Sequence, residues 1–257
     1  MLIIAIGLWT FARDIPVAYA CPTALNLHSN HDGSPSLNNS WPLKTTAHDA
    51  AADTSTSIKT NKSAVFIQWR PGVSNNSIEG NPTGTPTGYG WIYETDYTGS
   101  NIEQGTWSFR VYTSDDKSTS EGYIIVMVYN VAVSGGSISS SAFLFQYIEN
   151  STDVYVGGVS NFTFTTGTVG PFNNLSYPYL HIEYWLMITT AGAGSPGTIQ
   201  FGVEQAGSSP YPNVDMPNWV PENLWILLGV IPFLPWIFRK LREKNFGYVF
   251  SNGQVTS

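Results

Sequence analysis

The twelve residues YLHIEYWLMITT, from Tyr179 to Thr190, alternate without a break. Leu180, Ile182, Tyr184, Leu186 and Ile188 fall on one side of an extended chain, and His181, Glu183, Trp185 and Met187 on the other. A period of two over that length specifies a strand, because apolar residues on a helix face recur every three to four positions. The same signature recurs elsewhere. TWSFRVYT sets Trp107, Phe109 and Val111 against Ser108, Arg110 and Tyr112, and GTIQFGVEQ keeps Ile199, Phe201 and Val203 in phase. YIIVMVYNVAV, from Tyr123 to Val133, is apolar on both sides, as a central strand covered on both faces would be. SAFLFQYI, DVYV and NFTFTTG follow it. The clusters VSGGSISS, TGTVGPFNN and TAGAGSPG punctuate these runs as turns, and no helical period precedes Leu224. Strands at this spacing with no helices between them predict an all-β fold, an antiparallel β-sandwich of jelly-roll type. Parallel pairing is disfavoured, since each crossover consumes a dozen residues or more.

Composition narrows the function classes. The chain has one cysteine, Cys21, so no intrachain disulfide can form and stability must come from burial and ladder hydrogen bonds. Charged residues make up 11%, against about 25% in ordinary domains. Aromatic residues make up 14%, which supplies a substantial core and sets the chain apart from disordered ones. Between Cys21 and Asn218 fifteen acids face six bases, and Ser118 to Phe238 contains no Lys or Arg. That balance excludes nucleic acid as a partner and argues against a body lying on anionic lipid.

The two ends predict an exported, anchored chain. Leu224 to Phe238 is an uninterrupted apolar run, and extending it back to Trp219 gives twenty residues, about the length that crosses a bilayer as a helix. Trp219, Trp225 and Trp236 suit the interfacial belts, and Pro232 and Pro235 are tolerated in a membrane span. Arg239, Lys240, Arg242 and Lys244 follow at once, which places 239–257 in the cytoplasm and the body outside the cell. At the other end MLIIAIGLWTFA and the small-x-small triplet Ala18–Ala20 make residues 1–20 a signal-peptide-like segment, and Cys21 directly after it also suits lipid attachment. Residues 21–206 form the expected body. Within it 21–62 is either a stalk or a first hairpin, and TALNLHSN, with Leu25 and Leu27 inward, favours the hairpin. Residues 207–218, with three prolines, read as a semi-rigid spacer.

The order VPE at Val220–Glu222, apolar helix, then RKLREK resembles the C-terminal sorting signals of exosortase and archaeosortase substrates. The resemblance covers only this tail, and it implies a surface protein whose tail is processed. Two departures favour a plain stop-transfer anchor: Asn223 stands where the bacterial motif has a second proline, and Asn245 to Ser257 continue past the basic cluster.

Candidate chemistry is sparse. His28, His31 and Asp32, with His48 and Asp49 nearby, could ligate a metal from turns, although surface histidines explain them as simply. No G-x-S-x-G elbow, H-E-x-x-H, P-loop or dinucleotide turn is present, so no cofactor is expected. Glu94, Asp96, Asp115, Asp116 and Glu183 are the acids nearest aromatic residues, and a glycosidase would need two of them across a cleft. Tyr89, Trp91 and Tyr93 share one strand side with Ile92 opposite. They make either a sugar-stacking platform or part of the core. Asn38, Asn61, Asn75, Asn150, Asn161 and Asn174 begin N-x-[S/T] sequons, as a glycosylated surface would have. The expectation is a membrane-anchored, cell-surface protein with a non-catalytic role in envelope structure, adhesion or ligand binding. Its partners would be the membrane and either glycans or other envelope proteins. The alternatives are a carbohydrate-binding module and a secreted hydrolase.

Overall fold

A computed structural model of the chain describes residues 24–29, 33–46, 54–59, 63–74, 76–115, 121–149, 158–191, 198–204 and 212–221. Every regular element among them is a strand. In chain order these are β1 (Ala24–Leu27), β2 (Ser40–Lys44), β3 (Thr54–Lys59), β4 (Val65–Gln68), β5 (Glu79–Gly80), β6 (Gly90–Tyr93), β7 (Ser100–Ile102) and β8 (Ser108–Asp115). Then come β9 (Glu121–Ser134), β10 (Ser137–Glu149), β11 (Gly158–Thr165), β12 (Tyr179–Thr190), β13 (Thr198–Glu204), β14 (Asn213–Asp215) and β15 (Trp219–Pro221).

The strands form two layers. In the first, β10, β9 and β12 lie side by side. β6 and β4 share the far side of β12, with β2 and β5 beyond them. In the second, β8 has β11 on one side and both β14 and β13 on the other, followed by β1 and β3. The pair β1–β2 joins the layers, so hydrogen bonding runs through thirteen strands, while β15 pairs separately with β7. The β9–β10 turn is Gly135–Gly136, both at positive φ, as a two-residue turn matched to strand twist requires.

The core lies between the layers. From the first layer Trp91, Leu180, Ile182, Tyr184, Leu186 and Ile188 point inward, and from the second Phe109, Val111, Ile199 and Phe201 meet them. The Phe201 ring sits 5.3 Å from Trp91, 5.0 Å from Tyr184 and 5.1 Å from Trp69. Tyr184 meets Trp91 and Phe109 nearly at right angles, the edge-to-face geometry that aromatic quadrupoles favour. The alternation predicted for Tyr179–Thr190 and Trp107–Val111 is observed, and Tyr123–Val133 is buried on both faces as its two-sided apolarity predicts. Leu25 and Leu27 are fully buried, and β1 pairs antiparallel with β2.

Three expectations are corrected. The sheet is mixed and not purely antiparallel, because β2 and β6 run parallel with Trp41 beside Trp91. The crossover objection fails there because the stretch 45–89 carries β3, β4 and β5 and is ample to return the chain. Residues 212–218 of the expected spacer are part of the body. Asn213–Asp215 is a strand inserted between β1 and β8, with Val214 and Met216 buried. Its flanking prolines hid a short period-two pattern. Trp219, expected to open a membrane helix, instead lies in β15. Among the described residues no helix is long and apolar enough to cross a membrane. Leu224, Trp225, Trp236, Arg239, Lys240, Arg242 and Lys244 lie outside the described residues, as do residues 1–20 and Cys21.

Because Trp91 is fully buried at the centre of this packing, Trp91→Ala should remove about 3–5 kcal/mol of stability. Guanidinium denaturation followed by far-ultraviolet circular dichroism checks this. A variant of unchanged midpoint would show that the ring is not a core element.

Candidate functional site

The outer side of β12, away from the main core, carries polar groups that are nonetheless buried. His181 and Glu183 are both 0% exposed. An ionisable pair on a sheet face is ordinarily left to solvent, because an unpaired buried carboxylate is costly. Here the segment Asn81–Tyr89 crosses the sheet as a strap and closes it off. Proline and glycine at Pro82, Gly84, Pro86 and Gly88 keep the strap out of regular structure.

Thr87 ties the strap down. Its backbone N–H donates to Glu183 Oε1 at 2.6 Å, and its hydroxyl lies 2.9 Å from the same oxygen and 2.8 Å from Gln68 Oε1. Gln68 Nε2 donates to the Tyr89 carbonyl at 2.7 Å, which fixes the strap's far end. Tyr129 O–H donates to the Thr83 carbonyl at 2.6 Å, which fixes its middle. Beneath, Trp185 Nε1 donates to Glu183 Oε2 at 3.2 Å, and His181 Nε2 stands 3.3 Å from Oε1. Both carboxylate oxygens are thus occupied by donors from β12 and the strap. His181 Nδ1 is enclosed without a hydrogen-bond partner. The Tyr129 ring lies 6.2 Å from the imidazole and 5.8 Å from Phe143. Burial, and secondarily the negative charge of Glu183, push the Tyr129 phenol well above its ordinary range. Gly90 admits close passage of β6 here, since a side chain there would collide with the Ile182 carbonyl and crowd the His181 ring.

The cluster holds an anionic group in an apolar setting and uses it to anchor chain. Three chain segments, β12, β4 and the strap, meet on Glu183 and Gln68, and the carboxylate is sealed from solvent. Among the described residues no group of three or more His, Cys, Asp or Glu side chains could hold a metal.

The residues singled out from sequence are dispersed. Trp91 is buried in the main core, which removes it as a sugar platform, and Ile92 is equally buried on the opposite side. Tyr93 is half-buried beside Tyr97 and lines a shallow groove with Lys44 and Glu94. The Tyr89 ring is covered by the Arg70 guanidinium at 4.5 Å. The three aromatics therefore form no exposed platform. His28 is buried, with Nε2 3.0 Å from the Thr46 carbonyl, and is not a surface histidine. His31, Asp32, His48, Asp49 and Asp116 lie outside the described residues. Glu94 accepts the Ser36 N–H at 2.6 Å, and Asp96 accepts that of Thr98 at 2.9 Å within its own turn. Asn38 and Asn174 are exposed. Asn161 lies in β11, and Asn61, Asn75 and Asn150 fall outside the described residues. Sequence reasoning named Glu183 and placed it with His181, but missed Thr87, Gln68 and Tyr129. The available signal was a His and a Glu on a strand whose remaining residues are apolar on both sides.

No protein-family profile and no curated protein matches the chain. Among solved structures it is similar to a selenomethionine-labelled α-amino acid ester hydrolase, at 9% identity and a TM-score of 0.40, covering 76% of this chain and 36% of that one. It is also similar to an aminopeptidase from a marine-sediment Thaumarchaeota archaeon, at 11% identity and a TM-score of 0.40, covering 79% and 37%. The chain spans little more than a third of the length of either.

Glu183→Gln leaves the Trp185 N–H facing an amide nitrogen and removes the charge. It should lower stability by about 1–3 kcal/mol. Hydrogen exchange should speed up at the Thr87 amide ahead of β12, and an unchanged Thr87 rate would show that the strap is held otherwise. The phenols give a second test. Burial raises Tyr129 and Tyr184 far above the ordinary value, and burial together with the Glu149 hydrogen bond and charge raises Tyr147 to about 12. A raised phenol stabilises the fold fully below the unfolded value near pH 10, and that contribution is lost as pH rises through the folded value. The raised phenols should therefore cost stability only on the alkaline side. Tyrosinate absorbance should show Tyr129 and Tyr184 ionising together with unfolding, and Tyr129→Phe should remove one of these late phenols.

Proposed function

We propose that the chain is a β-sandwich of jelly-roll type displayed on the cell surface. In this reading it is held to the membrane by its C-terminal apolar segment, and it works by binding or assembly, not by catalysis. The observation that carries the non-catalytic part is the enclosure of Glu183 and His181. Among the described residues these are an adjoining imidazole and carboxyl, and both are internal at 0% exposure. General acid–base work needs a group within hydrogen-bond reach of a bound substrate. A carboxylate already filled by Thr87, His181 and Trp185 is arranged to hold the fold. Display outside the cell is supported by the apolar run with its basic flank, the signal-like start, and the exposed sequons at Asn38 and Asn174.

Protease shaving of intact cells producing the full chain with a C-terminal epitope tests this reading. The body should be lost while a short epitope-bearing fragment stays in the membrane fraction. A body that survives until the cells are lysed would overturn the placement.

A further inference from the structure

We propose that β10 is a self-association edge, on which a second copy of this chain pairs antiparallel to continue the sheet. Among the described residues β10 ends the strand order of the first layer, with β9 as its neighbour, and it is thirteen residues long. An unpaired edge offers a row of backbone donors and acceptors to any strand that can approach. Natural edges are guarded by lysine, proline, inward charge or bulges. From Ser137 to Ile148 β10 has no proline and no charged residue, and its only guards are two bulges.

The side chains supply a complementary surface. Of the three large hydrophobic residues exposed among the described residues, two lie on β10: Phe143 and Ile148, each 44% exposed. Five residues apart, they would point to opposite faces of a regular strand. A bulge between Phe143 and Phe145 corrects the phase, so that Phe143 aligns with Tyr129 and Ile148 with Ile125, on one face. An antiparallel copy centred on Gln146, whose neighbour Met127 lies midway between Tyr129 and Ile125, sets Phe143 of one chain beside Ile148 of the other. A two-fold axis repeats that contact. The alignment spans residues 142–149 across the first bulge and leaves the second bulge, between Ile138 and Ser140, outside it.

Charge permits a second copy at this edge. The chain carries a net charge of −7, so two copies repel over most of their surface. From Gly122 to Ile148 there is no Asp, Glu, Lys or Arg, so like chains can meet along this edge without that repulsion, and the mutual fit of Phe143 with Ile148 is what favours a second copy. Glu149, at the end of the strand, accepts the Tyr147 hydroxyl at 2.9 Å and would face Ala142 of the second copy, not another acid. The inference does not rest on membrane anchoring. Its test reads self-association alone, so its failure would leave the shaving result untouched.

The experiment uses the full chain in mild detergent. Sedimentation at about 10 μM should show a dimer, and Ile148→Lys, which puts an ammonium on the edge, should weaken it at least about tenfold with an unchanged circular dichroism spectrum. In a Cys21→Ser background, Gln146→Cys should form a disulfide-linked dimer on oxidation. Thr163→Cys, exposed on β11, should not. A monomeric parent chain, a dimer indifferent to Ile148→Lys, or equal linking through position 163 would each overturn the proposal.

Discussion

The aromatic packing between the layers is the constraint on which the rest of the structure depends. With one cysteine in 257 residues the chain has no internal staple, so apolar burial must offset the conformational entropy of ordering it. Phe201 is where this concentrates, because its ring touches Trp69, Trp91 and Tyr184 from three strands or strand ends of the opposite layer. Each large aromatic removes about 150–250 Å² from water. The strap over β12 and the free edge at β10 are both positioned by strands whose other faces enter this core.

Glu183 adds specificity to that packing. Successive side chains on β12 alternate between the aromatic core and the strap-covered face. A slip of one residue would drive the carboxylate among Trp91, Phe109 and Phe201 and expel Tyr184 and Ile182. That is the error a buried polar group penalises most heavily. The donors on the correct side, from Thr87 and Trp185, compensate its desolvation only in the observed register. The carboxylate therefore selects one alignment among several that hydrophobicity alone would tolerate.

Much of the fold is legible in the sequence for simple reasons. Period two in Tyr179–Thr190 and Trp107–Val111 reports strands directly, and two-sided apolarity in Tyr123–Val133 reports a strand with neighbours on both sides. Short elements were lost where local chemistry misleads. Val214 and Met216 sit between prolines and read as spacer, yet long-range pairing with β1 and β8 decides their state. The parallel β2–β6 pair is a property of topology and leaves no periodic trace. The site was legible in half. His181 and Glu183 stand out on β12, but Thr87 comes from 96 positions away in the chain, and no spacing rule links it, Gln68 or Tyr129 to them. Trp91 shows the converse hazard: three aromatics in alternation look like a platform when one of them is the centre of the core.

The placement of β14 has a mechanical consequence. The last turns of the described chain do not dangle from the body: Asn213–Asp215 is held between β1 and β8, and β15 is then paired with β7. Tension applied beyond Pro221 first meets β15, stitched by the bond from the Glu103 amide to the Asn218 carbonyl, and then runs along β14. The ladder bonds on both sides of β14 lie across that direction. They are sheared together and cannot be unzipped one at a time, so a tug on the C-terminal side is met by the interior of a sheet and not by its fringe.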